Sequence, residues 1–102
     1  MADFSIGGGR SGPSRVKQSP DVVSSRLGDA GVLVHLQTNR IFEVNATGLR
    51  IWELIGEGRT LAEIEAALRS EFDVEPERLR QEFLALVTEL AREGLVNDDD
   101  HQ

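Results

Sequence analysis

The sequence predicts an α+β fold that is winged-helix-like, with a three-stranded antiparallel sheet followed by three helices packed on one face. Three observations lead there. Apolar residues alternate through the stretch between Val22 and Asn45 and recur at helical spacing from Leu49 onward. Turn residues cut the alternating stretch at Gly28-Asp29-Ala30-Gly31 and at Thr38-Asn39-Arg40. Helix start and stop signals then divide the remainder into three segments.

The first twenty residues concentrate glycine, serine and proline and read as a disordered lead-in. Gly7-Gly8-Gly9-Arg10-Ser11-Gly12 has the G-x-G-x-x-G spelling of a dinucleotide loop. That chemistry needs a strand before it and a helix N-terminus after it, whereas Ser5-Ile6 precedes and Pro13-Ser14 follows, so the stretch reads as a linker. The folded domain is placed at residues 21–97, and residues 98–102 are read as an acidic, disordered tail.

Val22 to Leu27 reads as the first strand, and Val32 to Gln37 as the second, with Val32, Val34 and Leu36 on the inner face and His35 on the other. The third, Ile41 to Asn45, points Phe42 and Val44 inward. With even-numbered residues inward on both strands, Leu36 would oppose Phe42 and the connecting loop would hold an odd number of residues or a bulge. Asn39 or Arg40 is then the left-handed residue, and asparagine tolerates that conformation better.

Leu49 to Ile55 forms the first helix, with Ile51, Trp52 and Ile55 on its core face, Asn45 or Thr47 as its cap and Gly56-Glu57-Gly58 as its stop. Thr60-Leu61-Ala62-Glu63 is a capping box and opens a helix with the stripe Leu61, Ile64, Leu68 and Phe72. Pro76 suits the first turn of the third helix, whose stripe is Leu79, Phe83, Leu86, Val87 and Leu90, and Gly94 ends it before Leu95-Val96 packs back.

Composition narrows the function. The chain has 102 residues and a formal charge of -7, the size of one domain. It lacks cysteine and tyrosine and has two histidines, which excludes disulfides and thiolate chemistry and argues against an enzyme working alone. His35 has no second ligand at a metal spacing, so neither a metal nor a cofactor is expected. No apolar run approaches the ~18 residues of a membrane span, and the N-terminus lacks a secretory apolar region, so the expected location is cytoplasmic. A winged-helix DNA-binding regulator is the alternative that the fold class raises. Its recognition helix would carry Arg78, Arg80 and Arg92 against Glu77, Glu82, Glu89 and Glu93, a net of -1 that repels phosphate, so no nucleic-acid partner is expected.

Peptide binding fits better. The last strand, Arg40, Ile41, Phe42, Glu43, Val44 and Asn45, contains no proline, so its free side offers an unbroken row of amides to an incoming extended peptide. On the third helix, Leu84 lies roughly 120° from the centre of the core stripe, and with Val87, Ala91 and Arg80 it forms an apolar shoulder for a partner.

The ordered set Asn39-Arg40-Ile41-Phe42-Glu43-Val44-Asn45-Ala46-Thr47-Gly48, Ile51-Trp52-Glu53-Leu54, Gly58-Arg59-Thr60, Phe72-Asp73-Val74, Phe83-Leu84, Leu90 and Gly94-Leu95-Val96 resembles the PqqD-like family over about residues 22–97. The resemblance implies a non-catalytic recognition element for ribosomally made, post-translationally modified peptides. Such an element binds a precursor's leader as an added strand in a groove closed by the third helix and presents it to a modifying enzyme. By position it implies backbone pairing along Arg40, Ile41, Phe42, Glu43 and Val44, with side-chain contacts from Arg80, Leu84 and Val87. The implied partners are a precursor peptide and a modifying enzyme, either a radical S-adenosylmethionine enzyme or a macrocyclising enzyme with its protease. The Asn45-Ala46-Thr47-Gly48 start of the first helix looks more like the broader stand-alone members than those devoted to pyrroloquinoline quinone. A monomer or weak homodimer is expected, since the free edge could pair with a second copy.

Overall fold

The chain runs through β1 (Val16–Gln18), β2 (Val22–Leu27), β3 (Ala30–His35), β4 (Arg40–Val44), α1 (Ala46–Gly56), α2 (Leu61–Glu71), α3 (Pro76–Arg92) and β5 (Val96–Asp98). This computed structural model describes residues 15–98; the Gly7–Gly12 motif, most of the expected lead-in and the tail beyond Asp98 lie outside the described residues. Strands β2, β3 and β4 form an antiparallel sheet in that order, and β1 pairs with β5 in a second, two-stranded sheet. The expected α+β organisation is therefore present, with one sheet added.

That added sheet corrects the N-terminal boundary. Residues up to Pro20 were expected to form an unpacked lead-in, yet Val16 is buried and β1 pairs with the far end of the chain, Val16 opposite Asp98 and Gln18 opposite Val96. The Gln18 amide donates to the Trp52 carbonyl at 2.9 Å, and the Ser19 N–H donates to the Leu95 carbonyl at 2.9 Å. Short polar segments of this kind are held by their partners and carry no periodicity of their own.

The β2–β3 hairpin closes through Gly28-Asp29 alone, with Gly28 at φ 63°, and Ala30 and Gly31 belong to β3. A two-residue hairpin loop requires a positive φ, which glycine adopts at no steric cost.

The second correction is the parity of β3. Gly31, Leu33 and His35 face the core, and Val32 and Val34 take the outer face, while Leu36 is in the turn and 56% exposed. His35, expected on the outer face, is only 8% exposed, and its Nδ1 accepts the Gln37 N–H at 3.2 Å. Phe42 therefore opposes Leu33, not Leu36, and the loop from Leu36 to Asn39 holds four residues, an even number. Asn39 is the left-handed residue, at φ 61°. The cause lies at Gly31: a Cβ there would stand 2.6 Å from Leu49 Cδ1, so the missing side chain is what lets α1 settle on the odd face of β3.

The core is built where α1, α2 and α3 close on that face, from Leu33, Ile51, Trp52, Leu54, Ile64, Leu68, Leu79, Phe83 and Leu90 among others. Asn45 caps α1, its Oδ1 accepting the Gly48 N–H at 2.9 Å. At α2 the capping box is complete, with Thr60 Oγ1 accepting from Glu63 N–H at 3.1 Å and Glu63 Oε1 accepting from Thr60 N–H at 2.9 Å. Thr60→Ala should cost about 1 kcal/mol, read as a lower urea midpoint at unchanged slope.

Arg50 ties α1 to α2 by donating to both carboxylate oxygens of Glu71 at 2.9 and 3.1 Å and to Glu53 at 3.3 Å. The hydrogen bonds from Arg50 hold the Glu71 carboxyl below its ordinary value.

Candidate peptide-binding cleft

Because the order in the larger sheet is β2-β3-β4, one side of β4 has no strand beside it among the described residues. Which amides face that side follows from the ladder. The two-residue turn closes on the pair Leu27–Ala30, and hydrogen-bonded and non-hydrogen-bonded pairs alternate from there. Counting along β3 and across its register with β4 directs the main-chain groups of Arg40, Phe42 and Val44 toward β3, and those of Ile41 and Glu43 toward the open edge. Along the same strand, Phe42 and Val44 turn their side chains inward, half-buried, while Ile41 is 67% exposed on the outer face.

Beside this edge lies a cleft of about 450 Å³. Strand β4 and its exit contribute Glu43, Val44 and Asn45, the first turns of α1 contribute Thr47, Gly48 and Ile51, and α3 contributes Glu82, Ala85 and Leu86. Its floor is tight because Gly48 has no side chain: a Cβ there would lie 3.0 Å from Val44 Cβ and 3.4 Å from Leu86 Cδ2. At the other end of β4 the two walls are tied, with Arg40 Nη1 at 3.0 Å from Glu93 Oε1 and its guanidinium 5.3 Å from the centroid of the Phe42 ring.

The structure thus brings Val44 and Glu43 to the cleft and places Arg40 at the other end of β4, bridged to Glu93. It does not bring Arg80, Leu84 and Val87 there. Val87 is buried in the core, Arg80 reaches Glu65 of α2 at 3.5 Å, and Leu84, 46% exposed, lies on the same α2-facing side of the helix. The flank of α3 that meets β4 is the opposite one, carrying Glu82, Ala85, Leu86 and Glu93. An angular offset from the core stripe tells how far round the helix a residue sits; the side on which β4 runs is decided by where α2 packs. The signal that was available was Leu86 itself, one residue from Ala85 and on the edge of the stripe nearest the glutamates.

Each arginine of α3 is engaged by a carboxylate: Arg78 with Glu82 at 3.2 Å, Arg80 with Glu65, and Arg92 with Glu89. A helix that has neutralised its own cations has little to offer a phosphate backbone. Among the described residues no group of three or more His, Asp or Glu side chains could hold a metal ion, and no helix is long and apolar enough to cross a membrane.

Solved structures share this fold. A solved structure described as TbiB1 in complex with the TbiA(beta) leader peptide is 36% identical, with a TM-score of 0.72 over 78% of this chain and 93% of the other. A second, described as lasso peptide synthetase B1 complexed with the leader peptide, is 23% identical with a TM-score of 0.70 over 80% of this chain and 96% of the other, a likeness of fold. No curated protein matches. Residues 30–96, more than half of the sequence, match the family model for coenzyme PQQ synthesis protein D, and the chain belongs to that PqqD family.

Proposed function

We propose that this protein captures the leader of a ribosomally made precursor peptide as an added strand on β4 and presents it to a modifying enzyme. The observation that carries this reading is the unpaired edge of β4 running beside an apolar-floored cleft against α3. Main-chain pairing at Ile41 and Glu43 supplies affinity, and alternate side chains of the peptide enter the cleft and supply selectivity. The relative at 36% identity is described as a complex with a leader peptide, which supports the same role here. Arg40 to Val44 form the pairing strand in this reading, and Glu82, Ala85 and Leu86 complete the wall. The protein acts in the cytoplasm, as a monomer or a weak dimer, by binding alone. The chemistry belongs to its partner, either a radical S-adenosylmethionine enzyme or a macrocyclising enzyme with its protease.

The test is an NMR titration with a synthetic leader peptide of the kind that the relative at 36% identity is described as binding. The largest amide shifts are expected at residues 40–45 and 82–86. Shifts confined to β2, or none at saturating peptide, would overturn the reading.

A further inference from the structure

We infer that the Arg40–Glu93 ion pair is a register stop, a positioning pair that fixes which residue of an added strand lies opposite each residue of β4. This inference rests on the strand-addition reading above and adds to it what holds the peptide at a single offset. A strand that pairs with the open edge of β4 has two kinds of wrong offset. A slip of one residue turns every inward side chain outward, so the two faces of the sheet reject it. A slip of two residues keeps the faces and the main-chain pairing, and pairing alone does not prevent it.

The inner face of β4 supplies the missing constraint. Arg40, Phe42 and Val44 share that face, and residues of an added strand directly opposite them would turn their own side chains the same way. Room exists at one of these three positions. Val44 lines the cleft, whereas neither Phe42 nor Arg40 does. Phe42 is half-buried with the Arg40 guanidinium 5.3 Å from its ring centroid, and Arg40 Nη1 reaches on to Glu93 Oε1 at 3.0 Å. An inward side chain seated beside Val44 therefore meets open volume. Moved two or four residues along, it meets first the ring and then the ion pair.

The stop is held from both sides. Arg40 has the Phe42 ring and the Glu93 carboxylate as partners, which keep its side chain in one place. Glu93 is the C-cap of α3, and the next residue, Gly94, passes His35 where a Cβ would stand 3.6 Å from Nε2. His35 is the buried partner of Arg40 in the β3–β4 register, so the end of α3 rests on the same end of the sheet from which Arg40 projects. Among the described residues this is the only ion pair that joins β4 to the α3 segment. Pushing Arg40 aside would leave the Glu93 side chain, 19% exposed, beside the peptide without its cation. A pair this near the surface adds little to folding, so its removal frees the offset without loosening the domain.

The experiment uses peptides selected on the full chain from a display library of random sequences, kept if they shift the β4 amides and then spin-labelled at one end. With the wild type, the label should broaden one compact set of amides. With Arg40→Ala or Glu93→Ala, the same label should also broaden amides about 7 Å further along β4, the displacement of a strand slipped by two residues, and the R40E/E93R exchange should return the single set. A merely structural role would lower the melting temperature or the affinity and leave the broadened set where it was. One set common to the wild type and both alanine variants would overturn the inference and leave strand addition standing, as would slippage that the exchange does not correct. A library from which no peptide shifts the β4 amides would instead overturn the strand-addition reading itself, and this inference with it.

Discussion

Replacing Phe83 by alanine should lower unfolding free energy by about 3–5 kcal/mol, a large part of the roughly 4–12 kcal/mol that a folded unit of this size possesses. Phe83 projects from α3 into the space between α1, α2 and β3, where it is fully buried with Leu33, Ile51, Leu54, Ile64 and Leu68. The cost has two parts: the lost transfer of the ring from water and the void left where three helices and a sheet meet, which rigid neighbours fill poorly. Trp52, the sole tryptophan and itself buried, reports the transition by fluorescence in a urea titration. The expected result is a midpoint moved far to lower urea at similar slope. Leu84→Ala on the same helix is the control: with Leu84 46% exposed, its loss should stay below about 1 kcal/mol. Equal effects of the two substitutions would show that α3 does not present Phe83 to the core.

Much of this arrangement is legible in the sequence where a local chemical signal decides it. Strand β2 spans Val22–Leu27 as its β-branched start and the following Gly28-Asp29 turn require, and Asn39 takes the left-handed conformation that the hairpin needs. The Thr60/Glu63 box and Pro76 mark their helix starts because capping is settled within four residues. The features that were not legible depend on distant partners. In Val32-Leu33-Val34-His35-Leu36 the even positions are all apolar and the odd ones are Leu33 and His35, so alternation points to the even face, and the close approach of Leu49 to Gly31 overrides it. Strand β1 is three residues long and exists because β5, about eighty residues later, pairs with it. The candidate site divides in the same way. The open edge of β4 follows from strand order, whereas the wall that faces it required knowing on which flank of α3 the second helix sits.

Ile41→Pro should weaken leader binding at least tenfold while leaving the domain folded. Residue 41 is a position on β4 where both halves of that expectation can hold. Its side chain is two-thirds exposed on the outer face, so its loss removes little from the core. Its N–H points to the open edge by the alternation of the β3–β4 ladder, so proline removes no hydrogen bond from the sheet, the one situation in which edge strands accept it. An added peptide strand needs that donor. Its loss forfeits a hydrogen bond of about 0.5–1.5 kcal/mol, and the pyrrolidine ring also stands in the plane where the peptide backbone must approach, which together exceed the 1.4 kcal/mol of a tenfold change. Two companions separate pairing from packing. Ile41→Ala keeps the donor and should bind nearly as the wild type does. Phe42→Pro removes a donor directed at β3 together with a half-buried ring, and should unfold the sheet. Fluorescence anisotropy with a labelled leader, alongside thermal melts of all three variants, reads both quantities. If Ile41→Pro binds with unchanged affinity, the leader does not pair with β4. If Ile41→Ala loses as much as Ile41→Pro, the side chain on the outer face, and not the backbone edge, makes the contact.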